Sequence, residues 1–196
     1  PLRGAGQKTT ALEVAESFAP GTPDAVVMPV SSGGHASGVW KAFRELDAAG
    51  LIDGVPRLYF VQAAACAPIA EAWARGEETV APVEGGETVA YSIANADPPS
   101  GNRVLAAASE TGGAVVAVDD DDILDARRAL SERVGLAVES ASATSLAGAR
   151  VLSGRGELAS DEDVVLVATG TGFTEREVDG AAVDARAVTL SDPDAA

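Results

Sequence analysis

Apolar residues occur along the chain in two alternating kinds of block, one short and continuous, the other longer and periodic. The short runs are typical of strands buried on both faces and lie at Ala25–Pro29, Arg57–Val61, Ala114–Val118 and Val164–Ala168. Between them, apolar residues recur at helical spacing, which predicts helices over 9–18, 35–49, 68–75, 102–110, 119–133 and 140–152. This alternation predicts a three-layer α/β fold with a mainly parallel sheet.

Two regions depart from this pattern. Gly85-Gly86, Pro98-Pro99 and Gly101 interrupt the segment 76–102, which predicts a long and mostly irregular excursion. Excursions of this length inside a compact domain are often functional. The last twenty residues are acidic and weakly patterned, so we expect a frayed end.

A serine- and glycine-rich turn joins the first predicted strand to the following helix. Its residues are Ser31, Ser32, Gly33, Gly34 and His35. Glycines let the backbone approach a ligand closely, amides at a helix start attract anions, and serine hydroxyls add donors. The turn therefore predicts a phosphate site, although on spacing alone an ordinary strand-to-helix turn explains it equally well. The turn matches neither the dinucleotide fingerprint nor a Walker loop.

A second glycine turn, Thr169-Gly-Thr-Gly172, follows the last predicted strand. Ligands of parallel sheets bind at the carboxyl ends of the strands. Because both turns follow strands, we expect them to meet at the same edge of the sheet and to share one site.

The charge of the chain narrows the range of partners. Its 196 residues include 30 acidic and 14 basic side chains, with a formal net charge of −16, and Lys8 and Lys41 are the only lysines. Such a surface repels nucleic acid and anionic membranes, so we expect neither as a partner. The composition favours adaptation to a high-salt cytoplasm, with an acidic mesophilic protein from a GC-rich genome as the alternative. A cytoplasmic location also fits the lack of a signal-peptide pattern or a membrane-spanning run.

Two further features have plain structural explanations. Cys66 is the only cysteine, and its alanine-rich surroundings predict a buried, inert thiol rather than a nucleophile. The acidic run 119–122 opens a predicted helix, where capping and the helix dipole explain it better than a metal site does. We therefore expect no metal ligands.

In combination, these segments resemble the C-terminal part of threonine synthases, which are pyridoxal-phosphate enzymes of fold type II. The match is collinear over about residues 3–175. The segments that carry it are Arg3–Thr9, Glu13–Glu16, Pro29–His35, Gln62–Ile69, Ile93–Gly101, Glu139–Gly148 and Val167–Gly172.

The resemblance implies a cofactor, pyridoxal phosphate, and a role for each matching position. The residues implied to cradle the cofactor phosphate are Ser31, Ser32, Gly33, Gly34 and His35. Thr169 would hydrogen-bond the pyridine nitrogen, and a neutral hydroxyl there leaves that nitrogen largely unprotonated, which suits elimination and replacement chemistry. The residues implied to line or buttress the site are Gln62, Glu139 and Ser140.

The sequence departs from the family pattern at several positions. His35, the only histidine, stands where threonine synthases usually have asparagine, and Ser31-Ser32 stands where the family often has Gly-Asn. The family's asparagine can face substrate, whereas a lone histidine here is also typical of an ordinary helix start. Thr174 and Glu175 replace a usual Lys-Asp pair.

The family's Schiff-base lysine lies in a Ser-x-Lys-Asp segment that nothing in this sequence matches, and Lys8 and Lys41 occur in other contexts. We therefore assign no catalytic residue. We expect residues 1–196 to form a single domain, which is the C-terminal share of the cofactor-binding large domain of fold-type-II enzymes. The N-terminal half of the enzyme and its small domain would lie outside it. The expected partners are that missing half and a small amino-acid substrate, and a homodimer is compatible with the resemblance.

The implied parent activity converts O-phosphohomoserine and water to threonine and phosphate. A neighbouring activity, such as threonine or serine dehydratase or cysteate synthase, is one alternative. A non-catalytic module that binds phosphate or pyridoxal phosphate is another. A nucleotide-binding α/β domain is a weaker one, because its glycine fingerprint is missing.

Overall fold

A computed structural model describes residues 2–175, in which four parallel strands form one sheet. In the spatial order β3-β2-β1-β4, the strands are β1 (Ala25–Pro29), β2 (Arg57–Ala63), β3 (Val115–Val118) and β4 (Val164–Leu166). The α-helices of this part are α1 (Leu2–Gly6), α2 (Thr9–Phe18), α3 (Gly34–Ala48), α4 (Pro68–Ala74), α5 (Gly101–Thr111), α6 (Asp120–Val134) and α7 (Ser140–Gly154). Short 3-10 turns cover Ala64–Cys66, Tyr91–Ile93 and Gly172–Thr174.

Strand β1 lies in the middle of the sheet and all five of its residues are buried. Val26 pairs with Leu58 of β2 and with Val165 of β4. Alternate residues of β1 enter opposite cores, because successive side chains of a strand point to opposite faces. An apolar run without polar alternation is therefore what this central position requires.

Helices cover both faces of the sheet. Buried residues of α2, α3, α4 and α5 form one core with Met28, Leu58 and Phe60. Buried residues of α6 and α7 form the other core with Val27 and Val61. The predicted three-layer α/β fold with a parallel sheet is confirmed.

Some element boundaries differ from the prediction. Strand β4 ends at Leu166 rather than Ala168, although Val167 N still donates to the Val27 carbonyl at 3.0 Å. Helix α1 was not predicted, because it buries none of its five residues and so has no amphipathic pattern. The irregular excursion is confirmed, with one 3-10 turn between α4 and α5. The predicted frayed end lies outside the described residues.

The acidic run at the start of α6 corrects one expectation. Asp119 occupies the N-cap position but makes no side-chain cap hydrogen bond. Asp120 instead accepts hydrogen bonds from the Thr88 hydroxyl and the Val89 backbone N–H. The run therefore tethers the irregular excursion to α6, while its charge still complements the helix dipole.

The predicted burial of Cys66 is confirmed, since this residue is 2% exposed. Burial raises the pKa of its thiol, which favours the protonated form over the more reactive thiolate. Among residues 2–175, no helix is long and apolar enough to cross a membrane.

Candidate functional site

The turn after β1 is held in a conformation that only glycine fits. Gly33 has a φ of 79°, and a Cβ there would lie 2.9 Å from both the Ser100 carbonyl oxygen and Val104 Cγ2. The Ser32 carbonyl also accepts a hydrogen bond from Ser100 N at 3.0 Å. The turn is therefore fixed against the start of α5.

This turn presents unused hydrogen-bond donors. The Gly33 carbonyl accepts hydrogen bonds from the backbone N–H and hydroxyl of Ser37, at 3.0 and 2.7 Å, and so closes the first turn of α3. Within residues 2–175, the backbone N–H groups and hydroxyls of Ser31 and Ser32 have no partner. The first N–H groups of a helix also lack intrahelical acceptors, so several donors are available to an anion.

His35 is the second residue of α3 and is partly buried against α2. Its Nε2 lies 2.9 Å from Thr10 Oγ1. Burial lowers the pKa of the imidazole, which favours the neutral form. His35 is thus both a helix-start residue, as its sequence context indicates, and a contact between α2 and the cleft described below.

The second glycine turn is organised by a serine of α7. The Ser142 hydroxyl oxygen accepts hydrogen bonds from the backbone N–H groups of Thr169 and Gly170, at 2.9 and 2.8 Å. The same oxygen lies 3.0 Å from Thr169 Oγ1. Glu139 Oε1 lies 3.4 Å from Thr169 Oγ1 and 3.5 Å from the Ser142 hydroxyl oxygen, and the Gly170 carbonyl oxygen lies 3.2 Å from that hydroxyl.

The two turns share a cleft of about 310 Å³. Its lining residues are Arg3, Gln7, Pro29, Val30, Ser31, Ser32, Gly33, His35, Ala36, Ser92, Ile93, Glu139 and Thr169. The meeting of both turns at one sheet edge, expected from the sequence, is therefore observed. The cleft offers anion-binding donors at one end and a hydroxyl at Thr169.

The three residues suggested as lining or buttressing the site divide into different roles. Glu139 lines the cleft. Ser140 lies behind it, where its backbone N–H donates to Glu175 Oε1 at 2.7 Å. Gln62 is fully buried outside the cleft lining, and its Oε1 caps α4 by accepting from Ile69 N and Ala70 N. Gln62 therefore does not line the cleft, and a buttressing role for it stays a prediction.

Several cleft residues were missed by the sequence analysis. Arg3 and Gln7 precede α2, and Ser92 and Ile93 come from the irregular excursion. Ser142 was also missed, although a hydroxyl in an alanine-rich, buried helix was an available signal.

A basic groove of about 410 Å³ adjoins the cleft and shares Arg3, Gln7 and Ser32 with it. Its basic residues are Arg3, Lys8, Lys41 and Arg103, and its lining contains no acidic residue. Glu45 forms ion pairs with both lysines, whereas Arg3 has no ion pair within residues 2–175. This groove concentrates positive charge in an otherwise acidic molecule.

The chain is similar in sequence to named enzymes. It is 35% identical over 175 residues to the threonine synthase of Methanocaldococcus jannaschii. This alignment covers 89% of this chain and 43% of that protein. It is 38% identical over 170 residues to the threonine synthase of Methanosarcina acetivorans, covering 87% of this chain and 42% of that protein. The chain thus spans less than half the length of these two relatives.

Solved structures show the same fold. The L-serine ammonia-lyase of Rhizomucor miehei matches with a TM-score of 0.69 and 24% identity, over 86% of this chain and 51% of that one. Maize serine racemase matches with a TM-score of 0.66 and 22% identity, over 87% of this chain and 49% of the racemase chain. These partial matches agree with the expected partial large domain.

A family model described as "Pyridoxal-phosphate dependent enzyme" matches residues 1–170. Together with the threonine synthase relatives and the shared cleft, this match identifies the cofactor as pyridoxal phosphate. The chain belongs to the family of pyridoxal-phosphate dependent enzymes.

Proposed function

We propose that this chain is the cofactor-binding portion of a threonine synthase, which converts O-phosphohomoserine and water to threonine and phosphate. The observation that carries the proposal is the single cleft lined by both Ser31–His35 and Thr169. These segments lie near opposite ends of the described chain, so their meeting is a property of the fold rather than of local sequence.

The residues present fit pyridoxal phosphate. The unpartnered donors of Ser31 and Ser32, together with the start of α3, suit its phosphate group. A side chain at Gly33 would press on the Ser100 carbonyl and disturb this cradle. The Thr169 hydroxyl suits the pyridine nitrogen, and a cleft of about 310 Å³ is within the usual range for small ligands.

When bound, pyridoxal phosphate supplies an electron sink for negative charge next to an amino acid's α-carbon. The chain's own part is to hold and orient the group. Neither Lys8 nor Lys41 lines the cleft. We therefore assign the covalent amine and its proton transfers to a part of the parent enzyme outside this chain.

A phosphate-bearing substrate agrees with the charge around the cleft. Arg3 lines both the cleft and the basic groove, and it has no ion pair within residues 2–175. In a chain of net charge −16, a free guanidinium at this place favours an anionic substrate. Threonine or serine, the substrates of the dehydratase alternative, carry no such phosphate.

The first test is an absorbance titration of this chain with pyridoxal phosphate, followed by borohydride reduction and mass spectrometry. We expect saturable binding that washes away after reduction, because no lysine lines the cleft. A stable adduct on Lys8 or Lys41 would place the covalent amine within this chain and contradict our assignment. Absence of saturable binding would contradict the proposed cofactor site.

The second test uses the complete gene product and measures phosphate release from O-phosphohomoserine. Arg3→Gln should raise KM by about tenfold or more, as expected for loss of a charged hydrogen bond. Arg103→Gln is the matched control, because Arg103 lines the groove but not the cleft. Ammonia release from threonine without phosphate release from O-phosphohomoserine would favour the dehydratase alternative.

A further inference from the structure

The hydrogen bonds around Ser142 limit the directions in which its own proton can point. A serine hydroxyl has two acceptor lone pairs and one donor proton. Both lone pairs of Ser142 are occupied, since its oxygen accepts from Thr169 N at 2.9 Å and from Gly170 N at 2.8 Å. In its contact of 3.0 Å with Thr169 Oγ1, Ser142 can therefore take part only as the donor. The Gly170 carbonyl oxygen at 3.2 Å and Glu139 Oε1 at 3.5 Å are longer alternatives for the same proton, so Thr169 Oγ1 is the nearest acceptor.

This assignment determines where the Thr169 proton can go. Because Thr169 Oγ1 receives the Ser142 proton, its own proton points elsewhere, and Glu139 Oε1 is the acceptor at hand. That distance of 3.4 Å exceeds an ordinary O–H···O bond of about 2.5–3.0 Å, so this interaction is weak. The Thr169 proton is therefore free for a better acceptor in the cleft.

We propose that Ser142 is a positioning residue, whose hydrogen bond to Thr169 Oγ1 turns the Thr169 proton toward the pyridine nitrogen of bound pyridoxal phosphate. The inference rests on the proposed function, in which Thr169 is the partner of that nitrogen. A Thr169 hydroxyl that donates keeps the nitrogen unprotonated, because a protonated nitrogen would need an acceptor. Ser142 is 1% exposed and lies in the first turn of α7, which gives this orientation a rigid base.

The test compares Ser142→Ala with Ser145→Ala in this chain. Ser145 is a matched control, because it is 2% exposed on the same helix and donates at 2.7 Å to the Val167 carbonyl rather than to Thr169. The first readout needs no cofactor: three-bond NMR couplings of the Thr169 methyl group report its χ1 rotamer. We expect one rotamer in the parent chain and in Ser145→Ala, and rotamer averaging in Ser142→Ala.

The second readout uses pyridoxal phosphate labelled with 15N at the ring. In Ser142→Ala the ring-nitrogen signal should move toward that of the free, unprotonated cofactor, and affinity should fall by about three- to tenfold. Ser145→Ala should change neither value. If Ser142→Ala does not fold, Ser142→Cys carries the test, since a thiol is similar in size but a weak donor.

Thr169→Val separates this inference from the proposed function. If Thr169→Val shifts the ring-nitrogen signal and Ser142→Ala does not, the Ser142 inference is wrong while Thr169 keeps its role. If Thr169→Val has no effect, Thr169 is not the partner of the nitrogen, and both proposals fail at this position. A single Thr169 rotamer in Ser142→Ala would overturn the inference even without cofactor.

Discussion

Arg127 Nη1 lies 2.6 Å from Glu175 Oε2, and the second oxygen of the same carboxylate accepts the backbone N–H of Ser140 at 2.7 Å. The two charged side chains are only 15% and 10% exposed. One carboxylate thus joins α6, the start of α7 and the segment after the second glycine turn. Glu175 is also a position where the sequence departs from the threonine synthase pattern, so this departure has a structural role.

Removing this carboxylate should destabilise the domain. In Glu175→Ala the Arg127 guanidinium loses the Glu175 carboxylate but keeps the Ser140 hydroxyl, while Ser140 N loses its acceptor, which together cost about 1–3 kcal/mol. Arg128→Ala is the control, because its ion pair with Asp125 is exposed and contributes about 0.3–0.5 kcal/mol. Urea denaturation measures both. Equal losses in the two variants would show that the Glu175 network is not a stabilising one.

Gly33→Ala should weaken pyridoxal phosphate binding. Alanine at Gly33 meets both an unfavourable positive φ and the Ser100 carbonyl, so the turn must move away from the start of α5. Gly50 has a similar φ of 67°, but a Cβ there would meet no neighbouring atom. Gly50→Ala therefore carries only the cost of the backbone conformation, about 1–2 kcal/mol. We expect at least tenfold weaker binding in Gly33→Ala and parent-like binding in Gly50→Ala. Absorbance titrations measure both, and similar affinities would contradict the cradle.

His35 should make the stability of the domain depend on pH. Burial lowers its pKa in the folded state, so the unfolded chain binds a proton more readily than the folded chain does. The contribution of His35 to the free energy of unfolding is therefore fully present above pH 6.5, the ordinary pKa of histidine, and is lost as the pH falls below that value. His35→Asn should reduce this dependence.

Urea denaturation of the unmodified chain and of His35→Asn, at pH values above and below 6.5, measures the difference in their free energies of unfolding. Because His35 is the only histidine in the chain, the difference between the two curves isolates its titration from that of the carboxylates. Parallel curves would mean that His35 titrates alike in the folded and unfolded states.

Salt should stabilise the domain if its acidic surface is an adaptation to high ionic strength. Between about 0.1 M and about 1 M KCl the Debye length falls from about 10 Å to about 3 Å, which screens repulsion within a chain of net charge −16. We expect Tm to rise over this range, with sucrose as an uncharged control. A Tm that is unchanged by KCl would favour the acidic mesophilic alternative.

The sequence was sufficient to predict the layers and the shared edge, because both follow from short-range patterns. The continuous apolar run Ala25–Pro29 indicates a central strand, and the turns at 31–34 and 169–172 each follow a strand directly. Parallel topology then brings both turns to one edge without any knowledge of side-chain packing.

The remaining contacts depend on packing between distant segments. Gln62 resembled a site residue, but its Oε1 caps α4 by accepting from Ile69 N and Ala70 N, seven and eight residues further along the chain. The link between Asp120 and Thr88 joins residues 32 positions apart, and the Glu175 network joins residues 48 apart. Neither spacing has a local signature, so no periodicity could have revealed these contacts.

The pairing of β1 with β4 has a kinetic consequence. Asp163 N donates to Asp24 Oδ2 across 139 residues of chain, beside the first paired residues of the two strands. Contacts this far apart form late, because closing such a loop costs entropy before any pairing compensates it. We therefore expect Thr169 to join the cleft only after β4 has docked. The ability to bind the cofactor should therefore be acquired at the end of folding, which makes pyridoxal phosphate a reporter of the final step.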